Sequence, residues 1–160
     1  MVGLPRRGER LTEAPRPAEF GFPRTDLRRR LVEAILRGKK TSTSGLLSDF
    51  ERDGDALPEV GERFALIDHE NRMVGVIEMT EILITTIGEV DLAFALDEGE
   101  GFTSVADWRE AHERFWMSYA AETRAWLGDP AWVPRDDTRI VCERFRLVER
   151  DAPEPVTAGS

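Results

Sequence analysis

The chain is nearly without cysteine and nearly without lysine. Its single cysteine, Cys142, rules out an internal disulfide and agrees with a reducing, cytoplasmic setting. No apolar run approaches the roughly 20 residues a helix needs to cross a bilayer, so no membrane partner is expected. The N-terminal stretch, rich in arginine, glutamate and proline, lacks the apolar centre of a signal peptide. Positive charge is also in short supply. Lys+Arg is 22 against 31 for Asp+Glu, a net charge of -9 and a pI near 4.8. That balance disfavours long nucleic acid, because each phosphate contact needs a local cation. It tolerates a small basic groove or a substrate of nucleoside size. There is no repeat and no internal domain boundary, and 160 residues suit one domain with a single good core.

The lysine shortage has a pattern. The only lysines are Lys39 and Lys40; every other basic side chain, histidine aside, is arginine. An ammonium can give up its proton when partly buried, whereas a guanidinium cannot. Four hydroxyl residues, Thr41, Ser42, Thr43 and Ser44, follow directly. A lysine beside a hydroxyl is one way to activate an oxygen nucleophile. A purely structural reading competes with this one: Gly38-Lys39-Lys40 suits a helix C-terminus, with a left-handed glycine and cations at the carbonyl end. The Gly-Lys-Lys-Thr echo of a phosphate loop is weak, since the upstream glycine is missing and a helix, not a strand, precedes it.

Residues 1–19 read as a flexible arm and residues 150–160 as a flexible tail around one domain, 20–149. A helix is expected from the Thr25 cap to Arg37, with Leu27, Leu31 and Ile35 on its apolar stripe. Lys40 to Leu47 reads as a strand whose alternation groups Lys40, Ser42 and Ser44 on one face and Thr41 and Thr43 on the other. Ser48 to Gly61 reads as a polar connection. Arg63–Ile67 and Met73–Thr80 form a hairpin, continued past a bulge by Glu81–Thr86. Val90 to Gly101 is an acidic run. Its spacing allows a weak divalent-metal site, but the calcium-loop pattern is absent. A near capping box at Ser104 and Asp107 opens a second helix to Glu122, with Trp108, His112, Phe115, Trp116 and Tyr119 on one face. His112 within that stripe reads first as a hydrogen-bonded core residue. Ala125 to Asp137 reads as a loop packed by its aromatics, and Arg139–Glu149 as a closing strand.

The order of Gly38-Lys39-Lys40-Thr41-Ser42-Thr43-Ser44, then Glu98-Gly99-Glu100-Gly101, then Trp108-Arg109 to His112, then Val141-Cys142-Glu143-Arg144-Phe145 resembles the ASCH domain. The resemblance runs from Phe20 to Glu149. It implies an α+β fold, a small mixed β-barrel related to the PUA fold, with helices packed at the barrel openings. It also implies RNA or modified nucleosides as ligands. A short bacterial relative hydrolyses the amide of N4-acetylcytidine with a lysine, a threonine and a glutamate. These match Lys40, Thr43 and Glu98, with Glu100 as the alternative glutamate.

The resemblance thus implies a hydrolase on an N4-acylcytidine-type nucleoside, with no cofactor. Thr43 would be the nucleophile, Lys40 the base in neutral form, and Glu98 the proton relay to the leaving amine. The three are expected to converge. Lys39, Thr41, Ser42, Ser44, Glu100, Trp108 and Arg109 are expected around the substrate, Lys39 and Arg109 as cations. Two alternatives use the same groove. One is a ribonuclease on short single-stranded RNA, in which the acidic segment holds a divalent metal or acts as base. The other is a non-catalytic RNA-binding module with Trp108 or Trp132 as stacking platform. Oligomeric state is not legible in the sequence.

Overall fold

The first helix starts at the cap that the sequence marks. α1 (Asp26–Leu36) follows Thr25, whose hydroxyl accepts the Arg28 backbone N–H at 3.2 Å. Val32 and Ile35 carry its apolar stripe into a core with Phe20, Phe64, Leu66, Ile77, Met79 and Phe145. Gly38, at φ +74°, turns the chain out of the helix, a conformation that costs glycine little. The computed structural model describes residues 14–151. Most of the expected arm and nearly all of the expected tail lie outside the described residues.

Five strands build one mixed sheet in the order β1-β3-β4-β5-β2. They are β1 (Arg16–Ala18), β2 (Ser42–Leu46), β3 (Arg63–Ile67), β4 (Met73–Thr86) and β5 (Arg139–Arg150). Only β1 and β3 are parallel. β3 and β4 form the expected hairpin, closed by Asp68, whose carboxylate accepts the Glu70 and Arg72 backbone N–H groups at 2.9 Å. The expected bulge lies in β4, where the register with β5 shifts between Met79 and Glu81.

Two expectations are corrected here. β1 falls inside the stretch expected to be a flexible arm; it is held by backbone pairing, which leaves no side-chain pattern to read. The sheet is also open rather than a closed barrel, since β1 and β2, its two edges, do not pair. β1 has three residues and includes Pro17, which has no N–H to donate, so it offers little to close upon.

The helices differ from expectation where they are short. α2 (Leu47–Asp53) and α3 (Leu92–Asp97) lie in stretches read as a polar connection and an acidic run. Seven and six residues are too few for a helical period to show. The expected helix to Glu122 divides into α4 (Val105–Met117) and α5 (Ala120–Leu127), the latter entering the expected aromatic loop. At the break, the Ser118 hydroxyl donates to Phe115 O at 2.5 Å, a local bond that competes with the helix ladder. Tyr119 donates to Asp49 at 2.6 Å and so ties the break to α2. Among the described residues no helix is long and apolar enough to cross a membrane.

β5 serves both faces of the sheet. Phe145 enters the α1 core, whereas Ile140 and Cys142 join Leu46, Phe94, Trp108 and Trp116 in a second core under α3 and α4. Glu98 sits at the edge of that second core.

Candidate active site

The hydroxyl strand and the end of α3 are built for each other. A helix leaves its last carbonyls without internal partners. Here Ser42 Oγ donates to Phe94 O at 3.3 Å, Thr41 N and Oγ1 donate to Asp97 O at 2.8 and 3.4 Å, and Lys40 Nζ donates to Glu98 O at 3.3 Å. The cation therefore also faces the negative end of the helix. Arg144 on β5 adds an ion pair to Asp97 at 2.6 Å. The turn after α3 is tight: Gly99 has φ +65°, and a Cβ there would stand 2.2 Å from Lys39 O.

That turn brings two carboxylates to Lys40. Its ammonium is 3.8 Å from Glu98 Oε2 and 3.4 Å from Glu100 Oε2, and its side chain is 1% exposed. It lies 6.0 Å from the Phe20 ring centroid. Glu98 is fully buried. Its Oε1 accepts from Ser44 Oγ at 2.7 Å and from Trp108 Nε1 at 2.9 Å. Its Oε2 is 2.9 Å from His112 Nε2 but in no hydrogen-bond alignment, so ionic attraction carries that contact.

The protonation of this cluster follows from one bond. His112 Nδ1 is 2.8 Å from Trp108 O, and a carbonyl can only accept, so Nδ1 carries the hydrogen. Nε2 then faces a carboxylate either with a bare lone pair or as part of an imidazolium. Burial disfavours the charged ring, but the Glu98 carboxylate outweighs it and raises His112 above its usual range. Burial likewise pushes Glu98 up, and Lys40 and His112 together pull it below the ordinary carboxylate range. Glu98 is a fixed anion. Glu100, 20% exposed in its side chain, is raised by burial and by the Glu98 charge, with Lys40 opposing.

The expected site residues divide as follows. Lys40, Glu98 and Glu100 come together. Ser44 supports Glu98, while Thr41 and Ser42 satisfy the α3 carbonyls. Thr43 does not join them: it stands on the other face of β2, opposite Glu143 of β5. The expected convergence of Lys40, Thr43 and Glu98 is thus formed between Lys40 and Glu98 only. Alternation along the strand is the reason. Lys39 is exposed and meets the cluster through its backbone. Arg109 pairs with Glu113 at 2.7 Å and with Asp136, and so ties α4 to the loop before β5 instead of facing Lys40. Trp108 is 0% exposed and stacked on His112 with ring centroids 4.5 Å apart. A buried ring cannot serve as a stacking platform for a base.

His112 is the member of this cluster that the sequence reads as core, and its spacing of four from Trp108 is the available signal. Glu143 carries no local signal of its burial, which comes from the flanking β2 and β4. Cys142 is no nucleophile, as burial, then the Glu98 charge, pushes its thiol up to about 12. Glu98, Glu100 and His112 each offer a ligand atom, all within 4.8 Å of one another, so the trio could hold a cation. The Lys40 ammonium already serves the two carboxylates as counter-ion.

Known proteins bear on this architecture. The ASCH domain profile matches residues 19–149. A structure from Enterococcus faecalis V583 is similar with a TM-score of 0.73 and 24% identity, over 85% of this chain and 77% of that one. A structure of an ASCH domain from Lactobacillus crispatus JV V101 is similar with a TM-score of 0.62 and 28% identity, over 76% of this chain and 72% of that one. No curated protein matches the chain. The profile spans every element from α1 to β5 and includes the Lys40, Glu98 and His112 cluster, so this chain belongs to the ASCH domain family.

Proposed function

We propose that the protein hydrolyses the amide of an acylated nucleoside of the N4-acylcytidine type. The observation that carries this reading is the buried Lys40 held between Glu98 and Glu100, three residues before Thr43 in the chain. Burying an ion pair is costly, and removing one partner leaves an uncompensated buried charge. In this reading the expected roles shift. Thr43 supplies the nucleophilic oxygen. Lys40, ion-paired at rest, acts as the ammonium that polarises the acyl carbonyl and stabilises the oxyanion. Glu98 holds Lys40 in place. Glu100, partly exposed and raised towards its protonated form, gives a proton to the leaving amine.

A second reading rests on the trio Glu98, Glu100 and His112. A divalent ion there would activate water for cleavage of single-stranded RNA. Lys40 competes with such an ion for both carboxylates, which favours amide hydrolysis.

The test is chromatographic release of cytidine from N4-acetylcytidine, beside cleavage of a short RNA with and without chelator. Lys40→Met should reduce turnover by about 10²–10³-fold, the loss typical of one oxyanion donor. Lys40→Arg, where it melts like the wild type, should keep much of the rate. A folded but inactive Lys40→Arg protein returns the base role to Lys40, since a guanidinium cannot lose its proton. Metal-dependent RNA cleavage without deacylation would overturn the amide reading.

A further inference from the structure

Part of β4 has a neighbouring strand on one side only. β3 pairs with β4 as far as Glu78, and Gly61 and Glu62 add backbone bonds to Met79. Gly61, at φ +87°, is where that neighbouring chain bends away. From Glu81 to Thr86 β4 runs in unbroken register with β5, and among the described residues its other edge pairs with nothing. A bare edge is a template for another strand, and proteins blunt one with lysine, proline or a covering loop. The stretch Glu81-Ile82-Leu83-Ile84-Thr85-Thr86 has neither lysine nor proline. Its one charge, Glu81, is paired with Arg144 of its own chain at 3.7 Å. Leu83 is 52% exposed and Ile84 39%, so no loop covers them.

The order of these side chains selects the partner. A second copy running antiparallel, about a two-fold axis at Leu83, sets Leu83 against Leu83, Ile82 against Ile84 and Glu81 against Thr85. Apolar residues meet apolar ones, and no like charges are directly opposed. A shift of two residues either way sets Leu83 against Thr85 or against Glu81, which loses that match. Both faces of the sheet gain. Ile82 already packs against the α1 core, so Ile84 of the second copy extends that core across the seam. On the other face Leu83 lines an open groove with Val90 and Phe94, and the second Leu83 closes on it.

We infer that the protein forms a symmetric dimer in which the free edge of β4 pairs antiparallel with the same edge of a second copy, centred on Leu83. A two-fold pairing closes on itself, so association stops at two chains.

The experiment uses the whole chain. Sedimentation equilibrium up to about 1 mM, where even weak pairing shows, should give a mass that rises towards twice 18.1 kDa. Leu83→Lys sets two ammonium groups against each other and should hold the chain at monomer mass, with a far-UV circular dichroism spectrum like that of the wild type. Cysteine cross-linking reads the register. Cys142, which Leu83 opposes in the ladder with β5, is first replaced by alanine so that it cannot pair within the chain. In that background Leu83→Cys should form a disulfide between copies under mild oxidation, since directly opposed Cα atoms lie about 4.5–5.5 Å apart. Thr85→Cys, on the same face, should not, because its two copies stand about 14 Å apart. A wild type that stays monomeric to about 1 mM overturns the inference and leaves the edge to a strand of another protein. A dimer undisturbed by Leu83→Lys, a mass beyond two chains, or no more cross-linking in Leu83→Cys than in Thr85→Cys also overturns it. Should Leu83→Lys not fold, the two cysteine variants decide.

Discussion

At the scale of single residues, the cluster sets the buried Glu98 and the partly exposed Glu100 against Lys40 and His112, and pH acts on it with a definite sign. His112 is raised by Glu98 against its burial, so its ion pair contributes stability below the unfolded value of about 6.5. That contribution is lost as pH rises through the higher folded value. Glu143 acts in the same direction for a different reason. Burial pushes its carboxyl up to about 7, above the ordinary 4.5, so ionising it costs stability as pH rises between those values. At about 1.4 kcal/mol per unit, the shift bounds this loss at about 3 kcal/mol. Melting temperature should therefore fall from weakly acid to weakly alkaline pH. Glu143→Gln should remove the part of the slope below about 7, and His112→Gln the part above about 6.5. Thermal melts across this range check both; a slope unchanged in both variants would refute the assigned protonation states.

At the scale of elements, the site depends on how the turn after α3 reaches the start of β2. Gly99 and Gly38 both have positive φ, yet their surroundings differ. At Gly38 a Cβ would meet nothing within 4 Å, whereas at Gly99 it would enter the Lys39 carbonyl. Gly38→Ala should thus cost only the left-handed backbone penalty of about 1–2 kcal/mol. Gly99→Ala must also displace Glu98 and Glu100 from Lys40. Breaking a buried ion pair costs about 3–5 kcal/mol, so its unfolding free energy should fall by clearly more. Denaturant titration of the two variants measures the difference. Equal losses would mean that the turn is not what seats the carboxylates.

At the scale of the whole molecule, the net charge of -9 separates small ligands from polymers. A nucleoside carries no phosphate, so its KM should barely change with salt. Single-stranded RNA binding should weaken with a logarithmic slope of about -0.7 per phosphate contacted. Titrations at several salt concentrations distinguish the cases. A steep slope for RNA together with tight binding at physiological salt would count against a nucleoside-sized ligand.

What the residues determined alone is the part governed by local chemistry. Thr25 and Ser104 cap helices because their hydroxyls accept N–H groups three residues on. Arg63–Ile67, the Met73–Thr86 strand with its bulge, and the strand starting at Arg139 follow from alternation around turn residues. The only two lysines, followed by four hydroxyls, mark Lys40 by residue type alone. Only the tertiary structure decided the rest, because it depends on register and desolvation between distant segments. It chose Glu98 as the buried anion and left Glu100 partly exposed, turned the His112 ring onto Glu98, and opposed Thr43 with Glu143. It left the sheet open where a barrel was expected, since closure needs two edges able to pair, and a three-residue strand containing Pro17 is not such an edge.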